Sequence, residues 1–156
     1  MSAYESVFKL AQEWEPEVLP SELKYRDSLV AFLRERLKDA KIEPEYRHSG
    51  TTTDIYVKQS GFFGSSEVFV ELKRDLTQKS KYDRLVGQIE DLQPSRTFII
   101  VVLCAETSPV LLSRFNERYR TSDLLSRVRV VLKPPVKAKV NPITEALASR
   151  QGNKSR

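Results

Sequence analysis

The chain contains one cysteine, one histidine and no long apolar run, and each shortage removes a class of function. A single thiol, Cys104, has no partner for an internal disulfide or a thiolate metal centre. It sits in the apolar stretch Phe98–Cys104 and reads as a small buried hydrophobe. The lone His48 precedes a Ser49-Gly50 turn and reads as structural or exposed rather than catalytic, and no zinc or helicase motif is present. No stretch approaches the roughly 18 consecutive apolar residues that a membrane span requires. The start, Met1–Glu5, lacks the basic-then-apolar order of a secretory signal. Together these shortages lead to the expectation of a cytoplasmic protein with no membrane partner.

The chain has 156 residues, enough for one domain with a sizeable core, and its 40% apolar and 30% charged residues are an ordinary soluble composition. Its net charge of +5 is unevenly spread. Residues 134–156 hold Lys137, Lys139, Arg150, Lys154 and Arg156 against Glu145 alone, a net of +4 that leaves about +1 for residues 1–133. Three parts follow: an N-terminal helical extension over 1–20, a domain over 21–133, and a basic, flexible tail over 134–156. The tail either contacts phosphates or is simply solvated.

Apolar spacing predicts an amphipathic helix over 4–15, carrying Tyr4, Val7, Phe8, Ala11 and Trp14, ahead of Pro16 and Pro20. Trp14 either completes the core or serves a contact between copies. Ser21 is an N-cap candidate for a helix running from Glu22 to about Ala40. Strands are expected over 43–48, 52–58 and 67–73, with the Gly-containing segment 59–66 as a turn. A helix follows over 79–93, in which Gly87 suggests close backbone packing. The continuous apolar run 97–104 reads as a strand buried on both faces. A helix over 109–120, a further helical turn over 122–126 and a last strand over 128–133 complete the order. Strands joined through a helix should run parallel.

Charge stands where a strand ordinarily carries apolar side chains. Alternation puts Val68, Val70 and Leu72 on one face and Phe69, Glu71 and Lys73 on the other. Glu71 and Lys73 then project together, about 6–7 Å apart along the strand, with Asp54 on the neighbouring strand. Two carboxylates and an ammonium in one patch suit a divalent cation and a water to be deprotonated. Taken singly, Glu71 and Lys73 also read as an ion pair on a solvated edge, and Asp54 as a turn acid.

The order α-β-β-β-α-β, with Asp54 on the second strand and Glu71-x-Lys73 on the third, resembles the PD-(D/E)XK nuclease superfamily, which includes type II restriction endonucleases and archaeal Holliday-junction resolvases. The resemblance covers roughly residues 21–104, and more loosely extends to 133. It departs from the motif at Thr53, where the family name has proline. It implies an α/β fold with a restriction-endonuclease-like αβββαβ core, a mixed central sheet flanked by helices. It further implies that Asp54 and Glu71 bind Mg²⁺, with Mn²⁺ as a substitute, and that Lys73 orients or activates the attacking water. Many members carry an acid in the first core helix, for which Glu22 matches, with Glu35 off that face; Glu22 equally suits the helix dipole. Some carry a glutamine in the helix after the third strand, here Gln88.

The expected function is metal-dependent hydrolysis of phosphodiester bonds in DNA. The alternative is a non-catalytic nucleic-acid-binding or accessory module on the same fold. Arg74, Lys79, Lys81 and Arg84 follow the motif and are candidate phosphate contacts, diluted by Asp75 and Asp83. Phe62 and Phe63, in the Gly-flanked turn, suit base stacking or a protein contact if exposed, and the core if folded back. Cutting both strands of a duplex requires two sites, which makes a homodimer a candidate assembly.

Overall fold

The computed structural model describes residues 1–93 and 96–135. Among these residues four helices and five strands follow one another as α1 (Ala3–Glu13), α2 (Glu22–Arg36), β1 (Ala40–His48), β2 (Thr51–Gly61), β3 (Gly64–Leu76), α3 (Lys79–Leu92), β4 (Ile99–Thr107), α4 (Pro109–Tyr119) and β5 (Val128–Lys133). The strands form one mixed sheet in the order β1-β2-β3-β4-β5. β1, β2 and β3 pair antiparallel as hairpins, whereas β3–β4 and β4–β5, each joined through a helix, pair parallel. The fold is therefore α/β, as expected.

Local chemistry accounts for the boundaries. Ser2 and Glu5 close a capping box on α1, and Ser21 accepts the Lys24 N–H at the start of α2. Ser108 caps α4 with Pro109 in its first turn, and Arg120 ends it in the left-handed conformation. Helix α2 stops at Arg36 rather than near Ala40, because Ala40 already pairs with Gln59 in β1. Residues 122–126 form turns and bends, not the helical turn expected there.

The sheet separates two apolar cores. One holds α1 and α2 against Val57, Val70, Leu72, Ile100 and Val102; the other holds α3 and α4 against Tyr56, Phe69, Ile99, Val101 and Leu103. β4 is buried on both faces from Ile99 to Ala105, and Cys104 lies within it, its thiol pushed up to about 12 by burial. The N-terminal extension belongs to the first core. Trp14 is 2% exposed, packs edge-on to Tyr25, and donates from Nε1 to Ser28 Oγ at 3.2 Å. The tail expected over 134–156 lies outside the described residues from 136 onward. No helix among the described residues is long and apolar enough to cross a membrane.

Candidate active site

The ladder between β2 and β3 runs from Gly61↔Gly64 to Ile55↔Val70 and stops there. One residue further on, the Asp54 carboxylate occupies the place of a backbone partner, its Oδ2 accepting the Leu72 N–H at 2.7 Å. Beside it the Thr53 hydroxyl donates to the Val70 carbonyl oxygen at 3.3 Å. Asp54 shares a face with Tyr56, and Glu71 with Phe69, so both acids lie on the side covered by α3 and α4.

Glu71 is not a solvated edge residue. It is 0% exposed and Lys73 only 8%, the depth of the apolar residues around them. Neither oxygen of Glu71 makes a hydrogen bond of good geometry, its polar neighbours being the Thr53 hydroxyl and the Asp54 carboxyl, and poor pairing is costly for a buried polar group. Burial first, and then the Asp54 charge, push its carboxyl up to about 9; nearby Thr53 and Lys73 oppose the shift without cancelling it. Lys73 Nζ stands 3.8 Å from Glu22 Oε1, so the acid at the start of α2 is brought to the site through the lysine.

Asp54, Leu72, Glu22 and Gln88 line one cleft of about 520 Å³. Gln88 comes from α3, and its Oε1 is buried without a partner. Of the five residues expected at the site, Glu22 on α2, Asp54 on β2 and Gln88 on α3 line this cleft, whereas Glu71 and Lys73 on β3 do not and join it only through their neighbours Asp54 and Glu22. Two arginines not foreseen, Arg26 and Arg47, also line the cleft, together with Leu23, Glu45 and Thr52. Arg26 is held by Asp27 (3.0 Å) and Glu45 (2.7 Å). Arg47, on β1, is exposed and makes no ion pair with any described carboxylate. Arg26 stands four residues from Glu22 on the same helix face, a signal already present in the chain. Arg47 carries no comparable signal, since only the β1–β2 hairpin brings it there.

The four candidate phosphate contacts separate. Lys81 Nζ donates to the Arg74 carbonyl oxygen at 2.8 Å and ties α3 to the end of β3. Lys79 pairs with Asp83 at 2.7 Å. Arg74 lies 3.7 Å from Asp75 and has a buried Nε without a hydrogen bond. Of these four, only Arg84 is both exposed and without an ion pair to a described carboxylate. Just beyond Lys73 the register shifts between Arg74 and Leu76, and Asp75 takes φ 56° while accepting the Glu106 N–H. Such bulges re-aim side chains. Gly87 is exposed, and a Cβ there would meet nothing within 4 Å, so close packing is not its reason for being glycine.

Two carboxylates on adjacent strands, one with both oxygens buried and in no hydrogen bond of good geometry, fit a hard divalent cation such as Mg²⁺. Among the described residues no group of three His, Cys, Asp or Glu side chains stands ready to enclose an ion, so the acids offered are Asp54 and Glu71, with Glu22 held at Lys73. No family model, no curated protein and no solved structure matches this chain.

Proposed function

We propose that this protein is a Mg²⁺-dependent nuclease that hydrolyses phosphodiester bonds in DNA, with a restriction-endonuclease-like core of the PD-(D/E)XK type. The observation that carries the reading is Glu71: a fully buried acid, neither oxygen in a hydrogen bond of good geometry, set against Asp54, which itself lines the polar cleft. An acid kept at that depth is unfavourable for stability alone, and a bound cation would satisfy it.

Asp54 and Glu71 would hold the ion. When bound it supplies Lewis-acid polarisation of a phosphate oxygen and a water acidic enough to lose its proton near neutral pH. The remaining work falls to this chain's own groups. Lys73, nearly covered and adjacent to Glu71, holds the attacking water or offsets negative charge developing on the phosphate. Glu22, through its pairing with Lys73, fixes where that ammonium stands. Gln88 presents an unpartnered amide oxygen that can accept a hydrogen from water, while its amide nitrogen can donate to a phosphate oxygen. Arg47, at the cleft with no carboxylate on it, suits the flanking phosphate.

A second reading has one observation in its favour. Two acids rather than three stand close together, so a module that binds nucleic acid on the same fold without cutting it is the competitor. The experiment that decides is a panel of single-stranded, duplex and branched DNA, with RNA alongside, incubated with purified protein in Mg²⁺ and in chelator. Cleavage in Mg²⁺ alone is expected. Protein that binds the ion and cuts no substrate would overturn the nuclease reading in favour of the module. Size-exclusion mass with and without DNA tests the homodimer.

A further inference from the structure

The opposite end of the sheet from the acids carries a second cleft, of about 640 Å³, where β3, β4 and β5 begin and α1 starts. Arg96, Arg127 and Arg129 border it, and none of the three forms an ion pair with a described carboxylate. Two of the guanidinium groups are laid on rings. Arg129 is 4.7 Å from the centre of the Tyr4 ring, and Arg127 is 5.2 Å from that of Phe98. Arg127 also donates to the Arg96 carbonyl oxygen. Glu5 and Glu67 border the same cleft, which leaves it a net +1, and Glu5 already accepts the Ser2 N–H.

Next to this cleft the β2–β3 arm projects beyond the sheet. β1 pairs with β2 no further than Gln59, and β4 with β3 no earlier than Phe69, so Ser60↔Ser65 and Gly61↔Gly64 pair with no third strand beside them. The turn at its tip is Phe62-Phe63, and the two rings are 98% and 100% exposed, edge to face at 5.4 Å. Phe63 is two residues from Ser65, which lines the cleft, about 7 Å along the strand.

We infer that this end of the sheet is a contact for single-stranded nucleic acid, in which the arginines hold phosphates and Phe62 and Phe63 stack on unpaired bases. The chemistry favours nucleic acid over a protein partner. Guanidinium groups free of carboxylates match phosphate oxygens, and aromatic faces beside them match base faces. A continuous duplex hides its base faces in the stack, so the rings find partners only where a strand is unpaired or distorted. From Ser66 to Glu71 is about 17 Å along β3, the rise of about five base pairs, so one substrate can reach both ends. The inference takes from the proposed function the premise that nucleic acid is the substrate, but not the premise that it is cut. Joined to that function, it places cleavage beside a single-stranded or branched segment.

The test is fluorescence anisotropy in chelator, with a labelled single strand and the matching duplex, on wild type, the double variant Phe62→Ser/Phe63→Ser, and Arg96→Ala. All three residues are exposed, so melting temperatures should be unchanged. Wild type should prefer the single strand. The double variant should lose about tenfold in single-strand affinity and keep its duplex affinity. Arg96→Ala should reduce the slope of log affinity against log salt by about 0.7. Wild-type affinity in both variants would overturn the inference, as would a double variant that loses self-association instead of oligonucleotide binding. Binding as described without cleavage in Mg²⁺ overturns the nuclease reading alone. Cleavage through Asp54 with both variants binding as wild type overturns this inference alone.

Discussion

The two faces of β3 lie at the same depth and hold opposite chemistry. On one face Val68, Val70 and Leu72 are 0–1% exposed and fill the core beneath α1 and α2. On the other, Phe69 and Glu71 are equally covered and Lys73 nearly so. A solvated face would explain the charges without invoking function, and burial removes that explanation. The apolar face is ordinary stabilising packing, whereas the other face buries ionisable groups, Glu71 kept in its neutral form at pH 7 by the raised carboxyl, and this works against stability and needs another reason to persist.

That contrast can be broken by exchanging groups on either face. The largest effect is expected for Asp54→Ala, which should lower Mg²⁺-dependent cleavage by about 10³-fold, read as initial rates at matched protein concentration. A variant that cuts at the wild-type rate would remove Asp54 from the chemistry. Next comes Leu72→Ala on the apolar face. It should cost about 2–5 kcal/mol, seen as a lower urea midpoint.

One residue away the sign reverses. Glu71→Gln should stabilise the metal-free protein at pH 8 by on the order of 3 kcal/mol, roughly 6–12 °C in melting temperature. The direction follows from the raised carboxyl. Its folded value, about 9, lies above the ordinary 4.5, so the stability linked to this group is complete below about pH 4.5 and is lost as pH rises through about 9. The advantage of glutamine should therefore grow with pH across that window. A difference between variant and wild type that stays flat from pH 5 to pH 8 (about three units) would contradict the assignment. The smallest effect is at Gly87, exposed and with open space above it. Gly87→Ala should stabilise α3 by up to about 1 kcal/mol.

Much of this arrangement was legible because alternation and helical spacing are local properties. The faces of β3, the burial of β4 and the cap at Ser21 each depend on residues close in sequence. What was not legible depends on distant neighbours. Segment 59–66 has turn composition, yet its glycines and serines continue the ladder and confine the turn to Phe62-Phe63. Lys81 looked like a phosphate contact from its place after the motif, but the Arg74 carbonyl oxygen takes it. The depth of Glu71 depends on α3 lying over the sheet, and Arg47 reaches the cleft only through the hairpin.

The central claim is that the charged face of β3 exists to hold a cation. Calorimetric titration of Mg²⁺ or Mn²⁺ into wild type, Asp54→Asn and Glu71→Gln measures it most directly. One ion per chain in wild type, lost in both variants, is the result this account predicts. No ion bound by wild type, or equal binding by all three proteins, would contradict it.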